Sequence, residues 1–458
     1  MPGRESGQVR GSGQLIKELN RSRILECLQH GEPLSRVELA ERTGISLPAV
    51  SKLVREMQDE GLVVSVGEGP SSGGRRPVLF AYNSRLAYVV GLDVGGTKTA
   101  GGIMDLDGNV VATATIPTYG PSGSPTDVLA RVKGLVEDLL DQAGVDLAKV
   151  MGIGIGVPGI PDDEGRVVNL APALHRDQSR IVDEATVAGG PKDDSGPGHG
   201  VSNGANSGAN NGANAGLANG SIPLGEYLRS ELGRPVYMEN DVNAILRGEV
   251  WKGALQGVEQ GACVTIGTGI GVALLVNGEV YRGARGSAGE IGYWLIGSLG
   301  PVARPSGYGP LESFAAGPGI ARRYVARMRA RGHGSAVLDL AGGDVQGVTA
   351  RLVAEGAALG DPLALEVWRE TAEVVGVALA NLCSLMDPEV LVVGGGVSRA
   401  PRTLFLDPVR QIIETLVPYP PRVVPSQLGE QAGILGAVAT VLDSRRNSIS
   451  YMTAGVRA

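Results

Sequence analysis

Cysteine, histidine and long apolar runs are all scarce in this 458-residue chain. Three cysteines, Cys27, Cys263 and Cys383, lie far apart; so sparse and odd a set builds no disulfide framework and suits a reducing compartment. The four histidines, His30, His175, His199 and His333, are equally scattered and show no metal-ligand spacing. No apolar stretch approaches about 18 uninterrupted residues, and Met1 to Gln14 is polar and glycine-rich without the apolar core of a signal peptide. A cytoplasmic location with no membrane partner is therefore expected. Acid outweighs base, with a net charge of -7, which argues against nucleic-acid binding over the whole surface. The deficit is uneven: residues 1–85 hold 12 Lys+Arg against 10 Asp+Glu, and the remainder 29 against 38. Glycine, at 71 residues, is the one large excess. A chain this long is expected to form two or three domains.

The mildly basic N-terminal part has a readable pattern. Leu15, Leu19, Ile24, Leu25 and Leu28 recur at helical spacing from Gln14 to Gln29, and Gly31 with Pro33 ends the run. Ser35 and Glu38 form a capping box for a short second helix that stops at Thr43-Gly44. Ser46 can cap a third helix, with Pro48 in its first turn and Val50, Leu53, Val54 and Met57 on one apolar stripe. Three short helices with this turn resemble a helix-turn-helix, whose third helix enters the major groove. Ser46, Leu47, Ala49, Ser51, Lys52 and Arg55 lie off the stripe and would meet DNA. A strand beginning at Gly61 to Val64, a glycine-rich tip over 67–74 and a return strand at Pro77 to Phe80 make a wing. Arg75 and Arg76 near the tip suit a phosphate backbone or a minor groove, or are a solvated basic turn.

The rest of the chain repeats a pattern. Tyr88 to Asp93 reads as a buried strand, Gly95-Gly96-Thr97-Lys98 as a sharp turn, Gly101 to Leu106 as a second strand, and Asp107-Gly108 as a hairpin into Val110-Val111. Val264 to Ile266, Gly267-Thr268-Gly269, Gly271 to Val276, Asn277-Gly278 and Glu279 to Tyr281 follow the same order, which suggests an internal duplication. Glycine lets backbone N–H groups approach phosphate oxygens closely, Thr97 and Thr268 add hydroxyls, and Asp93 could hold a phosphate-bound Mg²⁺ through water. The stretch Glu239-Asn240-Asp241-Val242-Asn243 follows a short extended segment and opens a helix. A carboxylate there either accepts the proton of a sugar hydroxyl attacking a γ-phosphate or caps the helix. Gly394-Gly395-Gly396, after a strand at Val390 to Val393, either admits a flat adenine or ribose or is a plain tight turn.

These motifs, with Ala288-Gly289-Glu290-Ile291-Gly292 and Leu311-Glu312, resemble the ROK family of repressors, open reading frames and kinases over nearly the whole chain. The resemblance implies an α/β architecture: an N-terminal winged helix-turn-helix followed by the two-lobed, actin-like and hexokinase-like (ribonuclease H-like) sugar-kinase fold. It implies a winged helix over 13–83, a first lobe over 86–242, a second over 243–445 whose closing helix returns to the first, and a tail over 446–458. It further implies Mg-ATP held by Asp93, Gly95, Gly96, Thr97, Lys98, Gly267, Thr268, Gly269, Gly394, Gly395 and Gly396, and a hexose or N-acyl hexosamine touched by Asn240, Asp241, Glu290 and Glu312. In kinase members of such a family Asp241 would be the general base.

Two departures stand out. Where the family has a histidine and a three-cysteine loop for a structural zinc, this chain has Tyr293 and no cysteine between Cys263 and Cys383, so no zinc is expected. Tyr293 could still donate one hydrogen bond to the sugar. A segment at about 175–221 replaces a short link; its Asn/Gly/Ala-rich middle is expected to be disordered, as a spacer or a partner-binding segment. The expected function is sugar-responsive transcription control, with a homodimer or homotetramer on a palindromic operator and a sugar or sugar phosphate as effector. The retained phosphate turns keep an ATP-dependent sugar kinase as the alternative.

Overall fold

The computed structural model describes residues 6–29, 32–70, 76–119, 125–162, 167–168, 222–296, 309–331 and 335–444. The four histidines, Arg75, the 175–221 insertion and the 446–458 tail lie outside the described residues.

The N-terminal domain is a winged helix. Helices α1 (Ser6–Gln29), α2 (Arg36–Thr43) and α3 (Leu47–Asp59) pack on a sheet of β1 (Leu34–Ser35), β2 (Val63–Glu68) and β3 (Val78–Tyr82) in the order β1-β3-β2. Its core is Ile24, Leu39, Val50, Val54, Met57 and Phe80. The capping box at α2 forms: the Glu38 N–H donates to Ser35 Oγ at 3.3 Å and the Ser35 N–H to Glu38 Oε2 at 2.8 Å. Gly44 ends α2 at φ 70, a left-handed turn that only glycine adopts freely. Three expectations are corrected. Helix α1 begins at Ser6, well before Gln14, despite its polar start. Ser46 occupies the cap position of α3 but its side chain makes no capping bond, the first turn relying instead on Pro48. The wing tip is shorter than 67–74, because β2 runs to Glu68 across a bulge between Ser65 and Gly67.

A 3-10 turn, Ser84–Leu86, leads into the first lobe. Its sheet comprises β4 (Tyr88–Val94), β5 (Lys98–Asp105), β6 (Val110–Pro117), β7 (Val150–Val157) and, beyond the small hairpin β8 (Ile160–Pro161) and β9 (Val167–Val168), β10 (Val236–Asn240). The second lobe has β11 (Gly261–Ile266), β12 (Ile270–Val276), β13 (Glu279–Tyr281), β14 (Val390–Gly394) and β15 (Arg422–Pro425). The orders β6-β5-β4-β7-β10 and β13-β12-β11-β14-β15 are the same: an antiparallel three-strand meander followed by two parallel strands. The duplication read from the two glycine turns is thus a duplication of whole sheets. Lys98 belongs to β5, so the first turn is tighter than Gly95 to Lys98.

Helices α4 (Pro125–Ala143) and α5 (Leu224–Leu232) cover one face of the first sheet. Helix α6 (Asp241–Lys252) lies on the second sheet, where Val242 and Leu246 meet Cys263, Ala273 and Val392. Around the other face of that sheet stand α7 (Pro310–Ala315), α8 (Gly317–Arg331), α9 (Ala336–Leu340), α10 (Ala350–Ala358), α11 (Pro362–Met386) and α12 (Leu406–Leu416), centred on Trp368 and Phe405. The closing helix α13 (Ala432–Ser444) crosses back onto the first sheet, with Ile434, Val438 and Val441 on Val89, Met104 and Met151.

Glycines set the spacing where α13 meets both β7 and α6. A β-carbon on Gly154 would lie 1.8 Å from the Ala437 carbonyl oxygen, and one on Gly436 1.6 Å from that of Ala244. Part of the glycine excess is therefore a packing requirement of this seam.

Candidate functional site

On the winged helix the buried stripe of α3 leaves one face open. Ser46, Leu47, Lys52 and Arg55 are exposed there, with Ala49 and Ser51 half-buried between them. Arg76, at the foot of the wing, is exposed as well. Lys17 and Arg21 of α1 are spent on Glu56 and Glu60 at the far end of α3, whereas Lys52 and Arg55 make no ion pair among the described residues.

The cleft is assembled from strand ends. Asp93 on β4 pairs in register with Gly156 on β7, and Val157 with Asn240 on β10, so Asp93 and Asn240 share one edge of the first sheet. Asn240 is the N-cap of α6: its Oδ1 accepts from the Val242 and Asn243 N–H groups at 3.0 and 3.2 Å, and its Nδ2 donates to the Gly159 carbonyl at 3.1 Å. One Nδ2 hydrogen remains for a ligand. The capping alternative for this stretch thus belongs to Asn240, which frees Asp241 for another role.

Asp241 is pushed up to about 7, chiefly by burial, with Asp93 and Glu290 adding repulsion against the Val242 N–H bond that lowers it. Burial also raises Asp93, opposed by Lys98. Burial raises Glu290 and Glu312 in turn; Glu312 is held back by the Ile270 N–H, which donates to its Oε2 at 2.8 Å, and lifted by Glu290. Four carboxyls from both lobes therefore converge on one region. Such a group favours partners that bring hydroxyl or ammonium hydrogens. Tyr293 follows on the 3-10 turn Ile291–Tyr293 and is half-exposed beside it.

The glycine turns are fastened backbone to backbone. The Gly95 N–H donates to the Lys98 carbonyl at 2.9 Å, and Thr118 Oγ1 to the Gly95 carbonyl at 2.6 Å. In the second lobe the Gly267 N–H donates to the Gly269 carbonyl at 2.9 Å, and the Gly317 N–H to the Gly267 carbonyl at 2.7 Å. Thr265 pairs with Gly394, which puts Gly267 to Gly269 and Gly394 to Gly396 at neighbouring strand ends. Gly395, at φ 89, lies so close to Ile266 that a β-carbon would come within 2.4 Å of its carbonyl oxygen. Thr97, Thr268 and Gly396 remain exposed above these turns. The Gly95 and Gly267 N–H groups are thus already engaged, and the exposed backbone at these paired strand ends is that of Thr97, Thr268 and Gly396.

A model of the ROK family matches residues 89–185 and 200–444. The chain belongs to the ROK family. A winged helix-turn-helix DNA-binding model matches residues 18–64. Repressors and glucokinases are both among its relatives. The putative xylose repressor of Caldicellulosiruptor sp. (strain Rt8B.4) is 27% identical over 437 residues, 94% of this chain and 97% of that protein. The glucokinase of Streptomyces coelicolor is 29% identical over 358 residues, 77% of this chain and 96% of its own. Among solved structures, a ROK family transcriptional regulator described as a homolog of the E. coli MLC protein has a TM-score of 0.68 at 24% identity, over 96% of this chain and 99% of its own. A ROK glucokinase from Streptomyces griseus in complex with glucose and AMPPNP has a TM-score of 0.58 at 29% identity, over 77% and 98%.

The zinc that the ROK resemblance implies does not fit the residues present. Tyr293 stands where the histidine would be, and Cys263 and Cys383, both buried, have no cysteine between them to form the three-cysteine loop. Among the described residues no group of three or more His, Cys, Asp or Glu is placed to hold a metal.

Two carboxylates of this ROK chain were not singled out by sequence reasoning. Glu239, 4% exposed, binds Arg247 and, across the lobes, Arg282; its Oε1 also accepts from the Asn240 N–H and Asn243 Nδ2, both at 3.3 Å. Glu249, fully buried on α6, accepts from Ser426 Oγ at 2.6 Å and the Ala254 N–H at 2.8 Å. Glu239 stood in the quoted Glu239 to Asn243 stretch without a role of its own, and Glu249 is one of several charged residues of α6.

Proposed function

We propose that this ROK protein is a DNA-binding repressor that responds to a pentose or hexose, reading a palindromic operator as a dimer. The observation that carries this is the open face of α3, where Lys52 and Arg55 make no ion pair among the described residues, on the same chain as the four converging carboxyls. The xylose-repressor relatives extend over both parts. In this reading Asn240, Asp241, Glu290, Glu312 and Tyr293 touch the sugar. A duplex selected from a random pool by the full chain, followed by titration with D-xylose and D-glucose, tests it. Selective binding that weakens when sugar is added is expected; no sequence preference, or an affinity indifferent to both sugars, would overturn it.

The DNA face has its own prediction. Arg55→Ala or Lys52→Ala should weaken the selected duplex by about 1–3 kcal/mol if the lost contact is to a base edge. A lost phosphate contact should instead lower the slope of log K against log salt by about 1. Anisotropy titrations at several salt concentrations separate the two, and unchanged affinity and slope in both variants would remove α3 from the groove.

A second reading, ATP-dependent sugar phosphorylation, is favoured by Asp241 itself. A carboxyl pushed up to about 7 is matched to general-base work near neutral pH. The turns at Gly95 to Thr97, Gly267 to Gly269 and Gly394 to Gly396, with Asp93 and Lys98, would hold Mg-ATP. Bound there, it would supply the transferable phosphoryl group. Turnover of glucose or xylose that disappears in Asp241→Asn would establish this activity beside repression.

A further inference from the structure

Helix α6 has a second function-bearing end. Asp241 opens it at the cleft, and Trp251 stands 10 residues on, near its close. At helical rise the two are about 15 Å apart. The Trp251 ring lies on Gly108, in the turn between β5 and β6, where a β-carbon would come within 2.5 Å of the ring's Cη2. Gly108 has φ 76, so the turn itself also calls for glycine.

That hairpin is bound to the winged helix. Asp105, 2% exposed, holds it: Oδ1 accepts from the Asp107 and Asn109 N–H groups at 3.0 and 2.9 Å, and Oδ2 from Asn109 Nδ2 at 3.0 Å. The same Oδ2 accepts from Ser84 Oγ at 2.8 Å, and the Leu106 N–H donates to the Ser84 carbonyl at 3.0 Å. Ser84 is in the turn that joins β3 to β4. Leu106 packs both against the winged-helix core and against the cluster that includes Trp251. At the end of β3, the Tyr82 hydroxyl is pushed up to about 12, chiefly by burial, with the Asp107 and Asp105 carboxylates adding to it. The hairpin thus touches the sensor on one side and the DNA-reading domain on the other.

We infer that Trp251 is a positioning residue through which the cleft acts on the winged helix. Sugar contacts at the start of α6 shift the helix, Trp251 presses or releases the Gly108 hairpin, and the Ser84 to Asp105 bond carries the change to β3. Helix shifts of about 1–2 Å are the usual currency of such coupling. Neither Trp251 nor Ser84 is a cleft residue. Linkage then requires that loosening the relay lower the effect of sugar on DNA without removing either binding event.

The inference rests on the repressor reading. The experiment uses the full chain, with D-xylose and D-glucose by calorimetry and the pool-selected duplex by anisotropy, with and without saturating sugar. Wild type should show a change in DNA affinity within the usual range of about 5–150-fold. Trp251→Ala should keep both separate affinities while this ratio falls toward one. Ser84→Ala, which removes one hydrogen bond and opens no large cavity, should lower the ratio in the same direction and decides the matter where Trp251→Ala does not fold. A wild-type chain that binds neither sugar would overturn the repressor reading and the relay together. Full coupling retained in Ser84→Ala, or in a folded Trp251→Ala, would overturn the relay alone.

Discussion

Gly436→Ala is expected to yield little folded protein, whereas Gly134→Ala should raise the melting temperature. A β-carbon on Gly436 would stand 1.6 Å from the Ala244 carbonyl oxygen and 2.2 Å from its carbon, both backbone atoms of α6. Neither helix can draw away from the other without opening its packing on its own sheet. Helix α13 is pressed on the first sheet at Gly91 and Gly154, and α6 is held to the second by Val242 and Leu246. Overpacking ordinarily costs about 1–3 kcal/mol, and a clash of backbone on backbone at this distance should exceed the top of that range. That is a large part of the roughly 5–15 kcal/mol that keeps a domain folded. Gly134, inside α4, has nothing within 4 Å of its would-be β-carbon. Alanine there should gain about 0.5–1 kcal/mol from reduced chain entropy, or about 2–4 °C per kcal/mol in a domain of this size. Scanning calorimetry of both full-length variants checks the pair. A Gly436→Ala chain melting with wild type would mean that the helices of the seam slide apart freely.

How far these features were legible depends on whether their cause is local. The capping box of Ser35 and Glu38, the apolar stripe Val50, Leu53, Val54 and Met57, and the Asn277-Gly278 hairpin each follow from residues a few positions apart, and each appears where the pattern put it. Asn277 and Gly278 both take positive φ, 53 and 75, which is why that dipeptide is so strong a signal. The two glycine turns betrayed the duplication because the same local geometry recurs. What escaped was decided between distant segments. Gly436 reads as a weak helix residue until Ala244 is seen against it. Glu239 looks like one more polar residue beside Asn240 until Arg282 arrives from the other lobe. The start of α1 at Ser6 had no apolar periodicity to announce it. In the cleft, Asn240 and Asp241 were legible as a polar pair at a strand end, but which of them caps the helix required the hydrogen bonds.

At pH 8, Asp241→Asn is expected to leave a more stable chain that binds sugar poorly. The unfolded chain releases this proton near a pKa of about 3.9, while in the folded chain burial, Asp93 and Glu290 push the group up to about 7. Between those values the folded state holds a proton that the unfolded state has lost, so stability falls as pH rises through the window and the full penalty is present above it. Asparagine keeps an acceptor for the Val242 N–H, now 2.9 Å from Asp241 Oδ1, and carries no charge. Its stabilising effect should therefore be largest above pH 7, shrink as pH falls through the pKa of about 7 and vanish near a pH of about 4. Sugar affinity runs the other way, since the ionised carboxylate is the better acceptor. Wild-type affinity should climb by up to about tenfold per pH unit below the folded pKa and level off above it. In Asp241→Asn the profile should be flat, and the lost charge-assisted bond should weaken sugar by about 1.5–3 kcal/mol. Melting curves and sugar calorimetry across that pH range read both limbs. A variant whose melting temperature follows wild type at every pH would put the Asp241 carboxylate in water, and a wild-type sugar affinity independent of pH would take it out of the sugar's reach.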